Sequence, residues 1–141
     1  MLNDILLPID LQHEVSWKDA LPMALKLLAP GGRLHLLGIV HDVGNAWVAS
    51  YLPKGYEKKA LEAMKADLGS FVAREVGGDV TVKTHVGHGH VAETILKMAR
   101  KTGAQMIVMA SQRPDQLRTF RVGSQADRVV HHSPISVLVV R

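Results

Sequence analysis

The chain has no cysteine and only two Phe, two Tyr and two Trp among its 141 residues. The first absence excludes a disulfide framework and thiolate metal sites. The second leaves few platforms for stacking bases. The formal charge of +4 therefore reads as solvated surface, with Lys and Arg set among acids as in Lys58-Lys59-Ala-Leu-Glu62, and no nucleic-acid partner is expected. No apolar run approaches the roughly 20 residues that cross a bilayer, so membrane insertion is not expected either. The opening residues lack the basic-then-apolar layout of a secretory signal, and the expected location is the cytoplasm. Two catalytic patterns are also missing. There is no G-x4-G-K-[S/T] loop and no Lys beside Ser124 to stabilise a transferring phosphoryl group, and nothing matches the nucleophile elbow G-x-S-x-G. Efficient phosphotransfer and a hydrolase triad lose their support.

What is present is a globular composition with 47% apolar residues, enough for a real core and too short for two ordinary domains; residues 1–141 are read as one domain. Ile5 to Ile9 is a short continuous apolar run of the kind found in buried parallel strands. Glu14 to Leu28 has helical spacing, with a start expected near Ser16 or Trp17, or a kink at Pro22, and a stop at Pro30-Gly31-Gly32. Arg33 to Val40 reads as a strand, Val43 to Gly55 as a loop or partly helical excursion, and Tyr56 to Val76 as a helix. Asp79 to Val86 is a strand, His90 to Arg100 a helix, Gln105 to Ala110 a strand, Gly123 to His132 a helix and Ile135 to Val140 the last strand. This alternation predicts an α/β fold, a single doubly wound five-stranded parallel sheet with helices on both faces. Among the common strand orders, 3-2-1-4-5 opens a crevice between the first and fourth strands, where Asp10 and Ala110 become neighbours.

Three strand or helix ends would meet at that crevice. Asp10 ends the first strand, with Pro8 and Ile9 walling the same space. Its carboxylate can bind ribose hydroxyls, a metal or a base amino group, or can simply close the following turn. Gly123, Ser124 and Gln125 open the last helix, where unpaired N–H groups and the helix dipole favour anions; an ordinary capping serine is the other reading. Arg113, Arg118, Arg121 and Arg128 gather round this seat and can steer an anion. Arg113 precedes Pro114, so its backbone is pushed towards extended geometry and cannot make the turn a glycine would.

The segment Ala110 to Ser124, followed by a helix and the strand ending Val-Leu-Val-Val-Arg141, resembles the C-terminal signature G-x2-G-x9-G-[S/T] of the universal stress protein family. Ala110, Arg113 and Gly123 hold its glycine positions and Ser124 its last. The opening Asp4-Ile-Leu-Leu-Pro-Ile-Asp10 is similar to the family's first strand, and the likeness runs over essentially the whole chain. The spacing is intact, two of the three glycines are replaced, and the Ala-Ser-x-Arg-Pro form looks like a recurrent variant of the family. The resemblance implies a Rossmann-like, adenine nucleotide alpha hydrolase-like sheet of the same strand order. It implies binding of ATP, or ADP or AMP, with Mg2+ on the phosphates. Backbone groups at Val40 would meet adenine, and Met109, Ser136 and Val137 would complete the set of contacts. It also implies a homodimer through antiparallel pairing of the last strands, Ile135 to Val140, which would cover an apolar edge. Ser50-Tyr-Leu-Pro-Lys54 and the Arg113-Pro114 variant resemble members associated with tripartite ATP-independent periplasmic transporters, which suggests such a transporter as partner.

His85 and the run Val86-Gly-His-Gly-His90 form the one tempting metal motif. It lacks an adjacent carboxylate, with Glu93 a turn into the helix, and no metal site is assigned; His131-His132 has still less support. Three readings of function stand. The first is an ATP-binding dimeric regulator of stress or energy state, the second a dimeric interaction module whose site is lost, the third an enzyme that activates a substrate with ATP. The third lacks a second substrate pocket in the sequence.

Overall fold

Successive residues of a strand point to opposite faces of a sheet, so a central parallel strand must be apolar on both and feed two cores. In the computed structural model, which describes residues 1–40, 51–111 and 124–141, the strand β1 (Leu2–Ile9) does this. Ile5, Leu7 and Ile9 join one buried cluster, and Leu6 joins the other. The remaining strands are β2 (Leu28–Val40), β3 (Thr81–His88), β4 (Met106–Ala110) and β5 (Ser136–Val140), and the helices are α1 (Ala20–Leu27), α2 (Tyr56–Glu75), α3 (Val91–Thr102) and α4 (Ser124–His132). The five strands pair in parallel in the order β3-β2-β1-β4-β5, as the sequence predicts.

The helices divide between the faces. Ala20, Leu21 and Ala24 of α1 and Leu68 and Phe71 of α2 pack with Ile5, Leu7, Leu34, Leu36 and Val108. Ala92, Ile95, Met98 and Ala99 of α3 and Val129 of α4 pack with Leu6, Leu37, Ile107 and Met109. The Trp17 and Phe71 rings pack edge to face, with centroids 5.0 Å apart and planes 77° apart, and fix the chain entering α1 against α2.

Three boundaries differ from the sequence expectation. The first helix starts at Ala20, after a short 3-10 turn over Glu14–Ser16. Pro22 thus falls in the first helical turn, where its missing N–H would have had no partner, and the expected kink does not arise. Pro30-Gly31-Gly32 does end the helix, but these residues lie within β2. They fill an irregularity in the β1–β2 register between the pairs Leu2–Leu28 and Asp4–Arg33, and Gly31 takes φ 79° there. β3 runs on to His88, so three of the five residues of the Val86–His90 run are strand. Of the expected excursion from Val43 to Gly55, residues 43–50 lie outside the described residues. Gly103, with φ 68°, stops α3 in the left-handed conformation that glycine adopts without strain.

Candidate functional site

At the carboxyl ends of β1 and β4, where the strand order reverses, the sheet opens into a cavity of about 540 Å3. That lies within the roughly 300–1,000 Å3 typical of small-molecule pockets. Such crevices form because the loops leaving the two strands cross to helices on opposite faces. Here both faces contribute: Met64 and Asp67 of α2 line one side, and Val91 and Ile95 of α3 with Gln125 and Ala126 of α4 line the other. Pro8, Ile9, Asp10, Ile39, Met109 and Ala110 form the strand-end floor. Most of this lining is apolar, suited to a flat ring, with polar groups gathered at Asp10 to Ser16.

Those polar groups form a closed turn. The Asp10 carboxylate accepts from the Gln12 N–H through Oδ1 at 3.0 Å, and its Oδ2 lies 2.8 Å from His13 Nδ1. Ser16 Oγ accepts the Asp10 N–H at 2.8 Å and lies 2.9 Å from the Asp10 carbonyl and 2.7 Å from that of His13. Both readings of Asp10 are therefore present in one residue. It is a turn-closing aspartate, and its half-exposed carboxylate retains acceptor sites facing the crevice, because an ionised carboxylate offers about four. Ser16, near which the sequence predicts a helix start, instead ties the turn back to the end of β1.

Two helix N-termini border the crevice. α4 begins at Ser124, and Gln125 and Ala126 of its first turn line the cavity. α3 begins at Val91, and its first turn faces the same space. Gln125 links the two: its Oε1 accepts the Ala92 N–H at 3.2 Å, satisfying a donor that the flanking His90 leaves free of a side-chain cap. The positive ends of both helix dipoles thus point towards one cavity, which favours an anionic ligand.

The structure brings together Pro8, Ile9, Asp10, Met109, Ala110 and Gln125 of the predicted set. Ser124 stands at the start of α4, while Arg113 and Gly123, together with Arg118 and Arg121, lie outside the described residues. Arg128 is exposed on α4. Val40 ends β2 one residue beyond Ile39, and its carbonyl accepts the Gly89 N–H at 3.1 Å. Ser136 and Val137 stand apart. In register they face Met106 and Ile107, at the opposite end of the sheet from Ala110, whose partner is Val140. A contact implied by resemblance at the start of the last strand is thus not placed at this crevice, because parallel register sends the two ends of β5 to opposite ends of the sheet.

The sequence reading missed His13, Ile39, Met64, Asp67, Val91 and Ile95. Val91 and Ile95 carried a signal, since residues four apart share a helix face and that helix follows a strand end. Met64 and Asp67 carried none, because where α2 crosses the sheet is set by packing. Gly38 permits that crossing: a methyl group there would come 2.7 Å from Met64 Sδ and 3.1 Å from Leu68 Cδ1. Among the described residues no group of three or more His, Cys, Asp or Glu is placed to hold a metal. Two histidines of the tempting motif are engaged elsewhere, His88 Nδ1 at 3.4 Å from Glu57 Oε1 and His85 with His35.

Comparison with known proteins gives a consistent result. The model of the universal stress protein family matches residues 1–141. Universal stress protein G of Salmonella typhimurium is 28% identical over the full length of both chains. A solved universal stress family protein from Burkholderia pseudomallei is 25% identical with a TM-score of 0.70, covering 98% of this chain and 95% of that one. A solved family member from Arabidopsis thaliana, described with AMP bound, shares the fold at 13% identity and a TM-score of 0.64, covering 98% of this chain and 90% of that one.

Proposed function

Since the chain belongs to the universal stress protein family, whose model spans all of it, we propose that it is a regulator that binds an adenine nucleotide, ATP or its relatives ADP and AMP. One observation carries this reading: the cavity at the β1–β4 switch point combines an apolar floor, the Asp10 carboxylate and the first turns of α3 and α4. The base would rest among Ile9, Ile39, Val91 and Met109. Asp10 would accept from ribose hydroxyls, and the phosphates would lie at the N-terminal end of α4. The AMP-bound plant protein of the same fold supports that class of ligand. Mg2+ would arrive on the phosphates and add charge neutralisation there, since the described residues build no carboxylate cage for it.

The protein would act by reporting nucleotide occupancy rather than by chemistry. No lysine stands beside Ser124 to stabilise a leaving phosphate. The reporting surface would be the edge strand β5, paired with its copy in a homodimer, and a tripartite ATP-independent periplasmic transporter is one partner that a cytoplasmic sensor of this kind would serve. Charge at Val137 or Val139 should yield monomer by light scattering. Those valines also pack towards α4, so circular dichroism must show the fold intact for the result to count.

The deciding experiment is mass spectrometry of whatever denaturation releases from freshly purified protein, joined to calorimetric titration with ATP. Bound adenylate, with affinity weakened in Arg113→Ala and Ser124→Ala, is expected. A second reading, a nucleotide-free dimeric module, is favoured by Asp10 spending two acceptor sites on its own turn. Absence of released nucleotide together with absence of heat would establish that reading instead.

A further inference from the structure

Four side chains in the lower half of the sheet form a continuous array that takes no part in the crevice. Arg33 donates to Asp4 through both Nε, at 2.8 Å from Oδ1, and Nη2, at 3.0 Å from Oδ2. His35 Nε2 lies 2.8 Å from Asp4 Oδ1, and His35 Nδ1 lies 2.9 Å from His85 Nε2. The two imidazoles stack with centroids 5.1 Å apart. His35 is only 4% exposed. The array crosses three adjacent strands, from β1 through β2 to β3, and β3 is an edge of the sheet.

Donor and acceptor counting fixes its protons. An ionised carboxylate only accepts, so His35 Nε2 carries hydrogen. Neutral His35 must then accept at Nδ1, and His85 must present its Nε2–H. One added proton costs no hydrogen bond, because it rests on His85 Nδ1 or, with the shared hydrogen passed inward, on His35. A second is different. It turns both nitrogens of the 2.9 Å contact into donors and sets two cations in stacked contact.

We propose that Asp4, His35 and His85 form a proton-counting latch that fastens the edge strand β3 to the sheet at neutral pH and releases it in acid. The charged groups facing the array all bear on this. Arg33 on β2 already neutralises Asp4, so the carboxylate has little left with which to hold an added cation. Burial of His85, the neighbouring His35, Lys101 on α3 and Lys83 on β3 itself all push its pKa down. An opened β3 escapes these penalties, since a solvated His85 titrates at its ordinary value of 6.5. The sign follows. Below that value the open form binds more protons than the closed form, so the open population grows by about tenfold per pH unit for each proton withheld. Both β3 and β5 are edge strands, bonded to the sheet along one side only, but only β3 carries His85, so acid opens β3 and not β5.

The test is hydrogen exchange read by mass spectrometry on the full chain from pH 7.5 to 5, corrected for the intrinsic pH dependence of exchange. Peptides covering Thr81–His88 should lose protection progressively below roughly pH 6.5, with a slope of up to about tenfold per unit, while those of β4 and β5 keep it. In His85→Gln, whose amide still donates to His35 without titrating, that slope should vanish and neutral-pH protection should persist. The proposal is overturned if β3 protection in the natural chain does not change with pH, if β4 and β5 fail together with β3, or if His85→Gln keeps the slope. Should that variant not fold, ring NMR of His85 in the natural chain decides: a titration displaced below 6.5 supports the latch, and one at 6.5 refutes it.

Discussion

Two aspartates bracket the first strand and live under opposite rules. Asp4, at its beginning, is buried and accepts three hydrogen bonds, two from the Arg33 fork and one from the His35 ring. The guanidinium hydrogen bond is the largest cause of a carboxyl pKa below its ordinary 3.8, with burial pulling the other way. Asp10, just past its end, is half exposed and closes only a local turn. A buried carboxylate with three of about four acceptor sites bonded inside the protein serves the fold, and a half-exposed one with two sites spare over a cavity is free to serve a ligand. The two ends of the sheet repeat this contrast, a saturated polar array below and an open crevice with two helix N-termini above.

The strongest challenge to that contrast is Asp4→Ala. It would leave the buried His35 Nε2–H without an acceptor, and the expected destabilisation is about 2–3 kcal/mol in urea unfolding. A loss below about 0.5 kcal/mol would show that the array is not structural. Next comes Gly87→Ala. A methyl group at this position of β3 would overlap the Thr94 methyl, and a β-branched side chain cannot turn aside. α3 would have to move, at a cost of about 2 kcal/mol. Gly38→Ala meets the flexible end of Met64 instead and should cost less than about 1 kcal/mol. Thermal melts of the pair rank the two close approaches, and equal losses would break the distinction.

The saturated end should also set the response to acid. Both lowered pKa values make the folded protein bind fewer protons than the unfolded chain. His85 therefore costs stability as pH falls through 6.5, and Asp4 costs further stability as pH falls below 3.8. The expected profile of the urea midpoint is a decline beginning near pH 6.5 and steepening below pH 4. In His85→Gln the first decline should be absent and the second retained.

The fold was legible because its signals are local. Continuous apolar runs marked the strands, and glycine or proline stops separated them from helices. Where the reading slipped, at Pro22 and at Gly31-Gly32, backbone geometry decided and periodicity was silent. The crevice was half legible. Pro8 to Asp10 and Ala110 follow from where strands end, and Val91 and Ile95 share a face of a helix that follows a strand end, but α2 reaches the crevice through packing that no local pattern encodes. The Asp4 array was not legible at all. His35 and His85 look like isolated polar residues in apolar strands until the β2–β3 register, which sets His85 beside Leu37, brings their rings into contact across the sheet.

The smallest expected stability effect belongs to Asp10→Asn, and it is the substitution that separates the two roles most cleanly. The asparagine carbonyl can still accept the Gln12 N–H, and the His13 contact is exposed enough that its loss matters little. The unfolding free energy should change by no more than about 0.5 kcal/mol. Affinity for ATP should nevertheless fall at least about tenfold, because an amide accepts ribose hydroxyls more weakly than a charged carboxylate does. Loss of stability without loss of affinity would place Asp10 with Asp4 among the structural carboxylates, and the two ends of the strand would then differ in exposure alone.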